Sequence, residues 1–253
     1  MEPTEINTAI KYLTKGALSG ASKTSLLREF KESYKYNDKE TEWLLQLCNF
    51  KKKPKKIDYN YFYNNPITRK ALQIKYPFTQ LYAYKNFLTE KECSTLIDFV
   101  DETSDYRTSQ TSDLDHFPNE IVFDVDERIA NLLELDVFLG EGSQAQKYHP
   151  GEYYKEHWDF FLPTEKKQYD VYCEWMGQRT WTTMIYLNDV KEGGETYFKR
   201  LNLKIKPERG LLIAWNNLYR NGKPNWKTMH EALPPLKENK YIITKWWRSW
   251  TLI

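Results

Sequence analysis

Apolar positions recur along this chain with two different periods, and the change falls near Ile74. Before it, Ile6, Ile10, Leu13 and Leu18, then Leu26, Leu27 and Phe30, then Trp43, Leu44, Leu47 and Phe50 follow roughly helical spacing. Gly16, Gly20 and the Tyr36-Asn37-Asp38 stretch interrupt that spacing, so two or three short helices are expected. Amphipathic stripes mark faces that pack on something. The ordinary reading is an appendage against the main domain; a substrate-docking or dimerisation module is the sharper one. Lys51 to Lys56 then sets five lysines around Pro54, the pattern of a solvated basic linker. The aromatic, turn-rich stretch Tyr59 to Pro66 leads into the next region.

Beyond Ile74 a strand is expected over Phe78 to Phe87. Thr89-Glu90-Lys91-Glu92 has the form of a capping box opening a helix with Leu96, Ile97, Phe99 and Val100 on its apolar side. A second amphipathic helix is expected over Glu127 to Leu135. Strand patterns then dominate: Ser143 to Tyr148, Thr180 to Leu187, Glu195 to Phe198, Leu203 to Ile205, Gly210 to Trp215 and Tyr241 to Trp247. Turn signals at Gly193-Gly194 and Pro207 to Gly210 separate several of them. Many short strands after helices predict an α+β fold, with a jelly-roll (double-stranded β-helix) core, helices buttressing one face and a small helical N-terminal region. The expected division is 1–72 as helical appendage and basic linker, and 73–253 as the β-rich domain.

Composition narrows the function classes. A net charge of +2 over 253 residues argues against a dedicated nucleic-acid binder. Nine Trp and nineteen Tyr favour a β-rich core or a pocket for a planar or extended ligand. Cys48, Cys93 and Cys173 are scattered, odd in number and without a Cys-x-x-Cys pair, so neither a disulfide framework nor a zinc site is expected, and a reducing, cytoplasmic location is. The first residues carry early acids and no long apolar run, unlike a secretory signal, and no stretch approaches a membrane span.

The candidate chemistry lies in Tyr148 to Asp159, YHPGEYYKEHWD. In a strand, His157 and Asp159 would share one face with Trp158 on the other. An imidazole and a carboxylate together make a metal clamp lacking a ligand. A second histidine would complete the two-histidine, one-carboxylate set that leaves positions on iron(II) open. Of the four histidines, His230 follows the apolar run Gly210 to Trp215 and suits a facing wall, whereas His149 in a Pro-Gly turn and His116 in a polar stretch read as surface groups. His-x-Asp alone is a weak motif.

Five stretches in order change its weight: RTS (Arg107 to Ser109), YHPGEYYKEHWDFF (Tyr148 to Phe161), QRTWTTMIYLNDVKEGGETYF (Gln178 to Phe198), KPERGLLIAW (Lys206 to Trp215) and HEALPPLKENKYIITKWWR (His230 to Arg248). From about Phe78 to Trp250 the chain resembles the prolyl 4-hydroxylase branch of the iron(II)- and 2-oxoglutarate-dependent dioxygenases. The resemblance implies that His157, Asp159 and His230 hold Fe(2+) and are the catalytic centre. It implies that Lys240 pairs with the distal carboxylate of 2-oxoglutarate, and that Tyr148 and Thr196 stand near this cosubstrate. It places Tyr154, Arg179 and Trp246 around the target residue; Arg179 reads equally as an ion-pair partner and Trp246 as a core aromatic. Tyr154 has the opposite strand parity to His157, so its place needs a bend or loop.

The implied reaction takes Fe(2+), 2-oxoglutarate and O2, with ascorbate a candidate addition, hydroxylates a prolyl residue in a protein or peptide, and releases succinate and carbon dioxide. The intact Asp159 speaks against the related halogenases, and Lys240 against the nucleic-acid demethylases. Alternatives are the same chemistry on another side chain or a small amino acid derivative, and a non-catalytic binding module. Two departures stand out: Glu238 occupies a place where the family commonly has glycine, and Pro163 to Gly177 is atypical and is expected to border the active-site mouth.

Overall fold

The computed structural model describes residues 28, 57–63, 72–73, 79–104, 111–113, 120–166, 169–170, 172–173 and 177–250. The expected N-terminal helices (Arg28 apart), the Lys51–Lys56 run, Arg107 to Ser109 and His116 lie outside the described residues. Three helices carry the argument: α1 (Tyr59–Tyr63), α2 (Glu90–Ser104) and α3 (Glu120–Leu133). The strands are β1 (Leu72–Gln73), β2 (Leu81–Tyr84), β3 (Thr111–Asp113), β4 (Gln144–Tyr148), β5 (Tyr154–His157), β6 (Arg179–Tyr186), β7 (Thr196–Phe198), β8 (Leu203–Ile205), β9 (Leu212–Asn216), β10 (His230–Ala232) and β11 (Lys240–Arg248). None of the described helices is long and apolar enough to cross a membrane.

The chain divides into two compact units. The larger, Asp58–Phe160 with Arg179–Trp247, holds the two sheets. One is seven-stranded, ordered β1-β2-β9-β6-β11-β4-β3; the other is four-stranded, ordered β5-β10-β7-β8. Alternation along each strand decides what lies between them. Leu81, Tyr148, Met184, Tyr186, Ile213, Trp215 and Ile242 from the larger sheet meet Phe198 and Ile205 from the smaller in one buried cluster. This is the double-stranded β-helix expected from the strand pattern.

The opposite face of the larger sheet carries the helices. On β11, Tyr241 and Lys245 alternate with Lys240 and Ile242 and point away from the cluster. The Tyr241 hydroxyl reaches Asp101 of α2 at 3.0 Å, and Lys147 of β4 donates to the same carboxylate at 2.8 Å. Lys245 Nζ donates to Asp126 of α3 at 2.7 Å and to the Glu141 carbonyl at 2.8 Å, while Ser143 donates to the other Asp126 oxygen.

Local signals explain the boundaries. The capping box forms at α2: Thr89 N–H donates to Glu92 and Glu92 N–H to the Thr89 hydroxyl. α3 begins at Glu120, seven residues before the expected start, because Val122, Val125, Ile129 and Leu133 form one continuous buried stripe that Asp124 and Asp126 disguise. β2 is shorter than the expected Phe78 to Phe87, because Asn86 turns the chain at φ +54°. Phe87 and Leu88 N–H then both donate to the Gly210 carbonyl. At Gly210, φ is +74° and a Cβ would collide with the Leu88 carbonyl oxygen. α1 falls within the expected 1–72 segment, yet it is tied to the sheet unit: Trp181 Nε1 and Asn216 Nδ2 both donate to the Phe62 carbonyl.

In the smaller unit, Phe161 stacks on Tyr172 at 4.9 Å with the Arg248 guanidinium over its ring. Arg248 donates to the Gly177 and Tyr172 carbonyls, and the Gln178 amide bonds both backbone groups of Phe161.

Breaking the Lys245–Asp126 pair should be costly, because both side chains are nearly sequestered from solvent. Asp126→Ala is expected to destabilise the fold by about 3–5 kcal/mol by stranding a buried charge, whereas the double variant Asp126→Leu/Lys245→Met recovers most of it. Denaturant unfolding of the three proteins checks this.

Candidate metal centre

The centre is built on the pairing of two short strands. β10 runs antiparallel to β5 with His230 directly opposite His157, so both rings leave the same face and their centroids lie 4.3 Å apart. In each case Nδ1 faces a main-chain carbonyl two residues back, Lys155 for His157 at 2.9 Å and Thr228 for His230 at 3.0 Å. A carbonyl can only accept, so each Nδ1 carries hydrogen and each Nε2 presents its lone pair. Burial pushes His230 down to about 4, which keeps its ring neutral at neutral pH.

Asp159 supplies the third group by a route different from regular pleating. β5 stops at His157, and Asp159 sits in the bend after it, with only Trp158 between them. Its Oδ1 is 3.7 Å from His157 Nε2 and its Oδ2 3.9 Å from His230 Nε2. Burial alone would raise this carboxyl, but His230, His157, Arg179 and a 2.7 Å bond from Thr182 outweigh it and hold it below the usual carboxylate range. Among the described residues, His157, Asp159 and His230 form the one group of three or more His, Cys, Asp or Glu whose ligand atoms all lie within 4.8 Å of one another. Two imidazoles and a carboxylate fit a divalent transition metal and leave further positions open.

Lys240 lies fully buried on the same side of the core and its charge reaches His230. It stands opposite Tyr148 in the β11–β4 register, with Nζ 5.1 Å from the Tyr148 ring and 5.8 Å from the Tyr186 ring. Nζ has no hydrogen-bond partner, and burial lowers the amine to about 7 against a smaller pull from Glu195. A fully buried, unpartnered ammonium is costly unless an anion joins it. Hydroxyls surround the place where one would sit: Tyr148 donates to Gln146 at 2.8 Å, and Tyr186 donates to Thr196 at 2.7 Å. Burial raises both phenols, so they remain protonated. A carboxylate would complement this buried, unpartnered amine. Gly194 lies against it at φ +76°, where a Cβ would approach Val190 and the Lys240 stem.

The groups expected around the target residue are placed as follows. Tyr154 is half exposed and meets the His157 ring edge-on at 4.6 Å. The bend its parity requires is a β-bulge: three residue steps on β5, Tyr154 to His157, oppose two on β10, Ala232 to His230. Arg179 makes a two-bonded ion pair with Glu141 at 2.6 and 2.7 Å, and its guanidinium lies 4.0 Å from the centre of the Trp246 ring. The ion-pair alternative for Arg179 is therefore present together with its contact to Trp246. Trp158 turns away from the histidines to pack edge-on against Trp226 at 5.0 Å. His149 is exposed and bonded to Asn239.

Thr182, Asn217, Tyr186 and Glu141 were not anticipated from the sequence. Thr182 and Tyr186 carried a usable signal, since both share the Met184 side of an alternating strand; Asn217 and Glu141 carried none. Glu238, at the place of the family's common glycine, accepts a bond from Lys191 N–H at 2.6 Å.

Two histidines and a carboxylate at the mouth of a double-stranded β-helix, with a buried cation deeper in the same core, define a non-haem iron oxygenase site. Comparison with known proteins agrees. The family described as the 2OG-Fe(II) oxygenase superfamily matches residues 143–248. Human prolyl 4-hydroxylase subunit alpha-1 is 34% identical over 146 residues, 57% of this chain and 27% of that protein. Prolyl 4-hydroxylase 5 of Arabidopsis thaliana is 31% identical over 199 residues, 64% of this chain and 66% of the plant protein. The match thus spans about a quarter of the length of the human subunit. The solved viral collagen prolyl hydroxylase of Paramecium Bursaria Chlorella virus-1, in complex with 2OG, superposes with a TM-score of 0.55 at 28% identity, covering 66% of this chain and 94% of that one. Residues 143–248 thus carry a 2OG-Fe(II) oxygenase domain that is similar to the prolyl 4-hydroxylases.

If His157, Asp159 and His230 form one metal site, Ala at any of them should lower iron(II) affinity by more than about 100-fold, beyond the loss typical for an outer-shell partner. Ala at His149, which lies outside the cluster, should leave it unchanged. Equilibrium dialysis under nitrogen checks both.

Proposed function

We propose that this protein is an iron(II)- and 2-oxoglutarate-dependent dioxygenase that hydroxylates prolyl residues in a protein or peptide. The observation that carries the reading is the buried, unpartnered Lys240 amine in the same core as the His157–Asp159–His230 set. His157 Nε2, His230 Nε2 and an Asp159 oxygen would hold the iron. Lys240 Nζ would pair with the distal carboxylate of 2-oxoglutarate, assisted by hydroxyls of Tyr148 and Thr196. When bound, these cofactors supply the oxidation: one oxygen atom of O2 enters the prolyl C–H bond as hydroxyl, the other enters succinate, and carbon dioxide leaves.

The chain's own share is placement and exclusion of water. The Nδ1 bonds to Lys155 and Thr228 fix both rings with Nε2 inward. Phe198 and Trp215 wall His230 at ring distances of 5.5 and 4.9 Å and keep solvent from its inner side. Tyr154 and the stacked Arg179–Trp246 pair would line the approach of the target residue. The similarity to prolyl 4-hydroxylases supports prolyl substrates. The same chemistry on another side chain remains the alternative outcome of the test, and ascorbate stimulation and a cytoplasmic site of action belong to the same proposal.

The test is mass spectrometry of a proline-containing peptide library exposed to enzyme, iron(II), 2-oxoglutarate and air, with and without ascorbate. A gain of one oxygen on proline supports the reading, while succinate without modified peptide moves the substrate elsewhere. Lys240→Met should abolish succinate formation while leaving iron affinity intact. The Lys240 amine also sets a pH dependence. Because it loses its proton near 7 when empty, 2-oxoglutarate must draw the proton back above that pH. Its affinity is therefore expected to fall as pH rises from 7 to 9, approaching about tenfold per unit. Calorimetry at constant ionic strength reads the slope, which should vanish in Lys240→Met.

A further inference from the structure

Asp159 is not held by the two histidines alone. Its Oδ2 accepts a 2.7 Å hydrogen bond from the Thr182 hydroxyl, and that hydroxyl accepts a 2.8 Å bond from Asn217 Nδ2. All three residues are buried, Thr182 and Asn217 completely. The direction of the relay follows from counting protons. A threonine hydroxyl has one hydrogen, and a carboxylate has none to give. With the Asn217 amide donating, the Thr182 hydrogen points at Asp159 and every short contact contains one proton. With the amide reversed, that single hydrogen would face two acceptors and leave one pair of oxygens in repulsion at hydrogen-bond distance.

Asn217 is itself fixed in place. Its N–H donates to the Thr180 carbonyl at 2.7 Å, and its own carbonyl accepts from Asn225 N–H. Thr182 occupies the middle of β6, paired with Trp215 of β9, so its hydroxyl has little freedom to leave Asp159. Thr182 on β6 and Asn217, directly after β9, thus support Asp159 from neighbouring strands of the larger sheet and not from the short strands that carry the histidines.

We infer that Thr182 is a positioning residue that keeps Asp159 a one-oxygen ligand. Its bond fixes the plane of the carboxylate and withdraws electron density from Oδ2, leaving Oδ1 as the stronger donor. A carboxylate so held occupies one position on the metal. One free to turn can bind through both oxygens and take a second position, which the cosubstrate needs. The relay thus protects the cosubstrate's place on the metal, and this inference rests on the oxygenase reading above.

The test uses the full chain, stripped of metal and loaded with cobalt(II) under nitrogen, as wild type, Thr182→Val and Thr182→Ser. Titration calorimetry with 2-oxoglutarate reads cosubstrate affinity, and the ligand-field absorption of cobalt reads coordination number. Thr182→Val should bind cobalt within about threefold of wild type but 2-oxoglutarate on the order of tenfold or more weakly, the loss expected for a hydrogen bond to a charged group. Its cobalt absorption should change with it. Thr182→Ser should match wild type in both. Wild-type cosubstrate affinity and absorption in folded Thr182→Val would overturn the inference. So would an equal loss in Thr182→Ser, which would trace the effect to the methyl group's packing. Thr182→Ala replaces the valine variant if the latter does not fold. Wild-type protein that binds neither cobalt nor 2-oxoglutarate would overturn the oxygenase reading itself, whereas normal wild-type binding with an unaffected valine variant overturns only the role of Thr182.

Discussion

The register of β5 against β10 is the constraint on which the centre depends. Each strand is only three or four residues long, and together they set His157 opposite His230. A slip of one residue would send one imidazole to the other face of the sheet. Such short strands cannot hold a register by their own hydrogen bonds. They borrow it from their surroundings: β10 is paired on its far side with β7, Trp215 and Phe198 close on the His230 ring, and the chain entering β10 is fastened by the Asn225–Thr228 turn.

Around that register the core is unusually polar. Asp159, Thr182, Thr196, Asn217, His230 and Lys240 are all buried among aromatic and aliphatic side chains. Most of these groups answer one another, Thr182 to Asp159 and Tyr186 to Thr196, so their burial costs little. Lys240 is different. Its partner must come from outside, and the protein carries that unfavourable burial as a standing preference for an anion. The opposite face of the same sheet solves the same problem internally, because Lys245 has Asp126 and a carbonyl at hand. Two lysines on one strand, five residues apart and on opposite faces, thus serve separate ends, one holding a helix and the other waiting for a ligand.

Much of this was legible in the sequence, and the failures have physical causes. The capping box and the strand over Leu203 to Ile205 were readable because local chemistry determines them. α3 was placed too late because Asp126 sits on its buried stripe, where only Lys245, distant in sequence, makes an acid acceptable. The histidines and Lys240 stood out through spacing and family likeness. Thr182 offered only its strand parity and Asn217 nothing, since an asparagine after a strand is ordinary until the fold sets it against Thr182 and Thr182 against Asp159. The shared face proposed for His157 and Asp159 was reached for the wrong geometric reason: the strand ends first, and a bend delivers the carboxylate.

The bulge in β5 separates two histories that a regular strand would bind together. His157 keeps phase with His230, while Tyr154 keeps phase with Ala232, and the extra residue between them absorbs the difference. Without the bulge, regular pairing back from His157 would set Lys155 opposite Ala232 and turn Tyr154 to the other surface, with the histidine pair untouched. The joint works like a clutch: residues on the outer side of the pocket can be exchanged, lost or re-aimed during divergence without disturbing the atoms that grip the metal. A lineage could in this way change the outer wall of the pocket while keeping the His157–Asp159–His230 set.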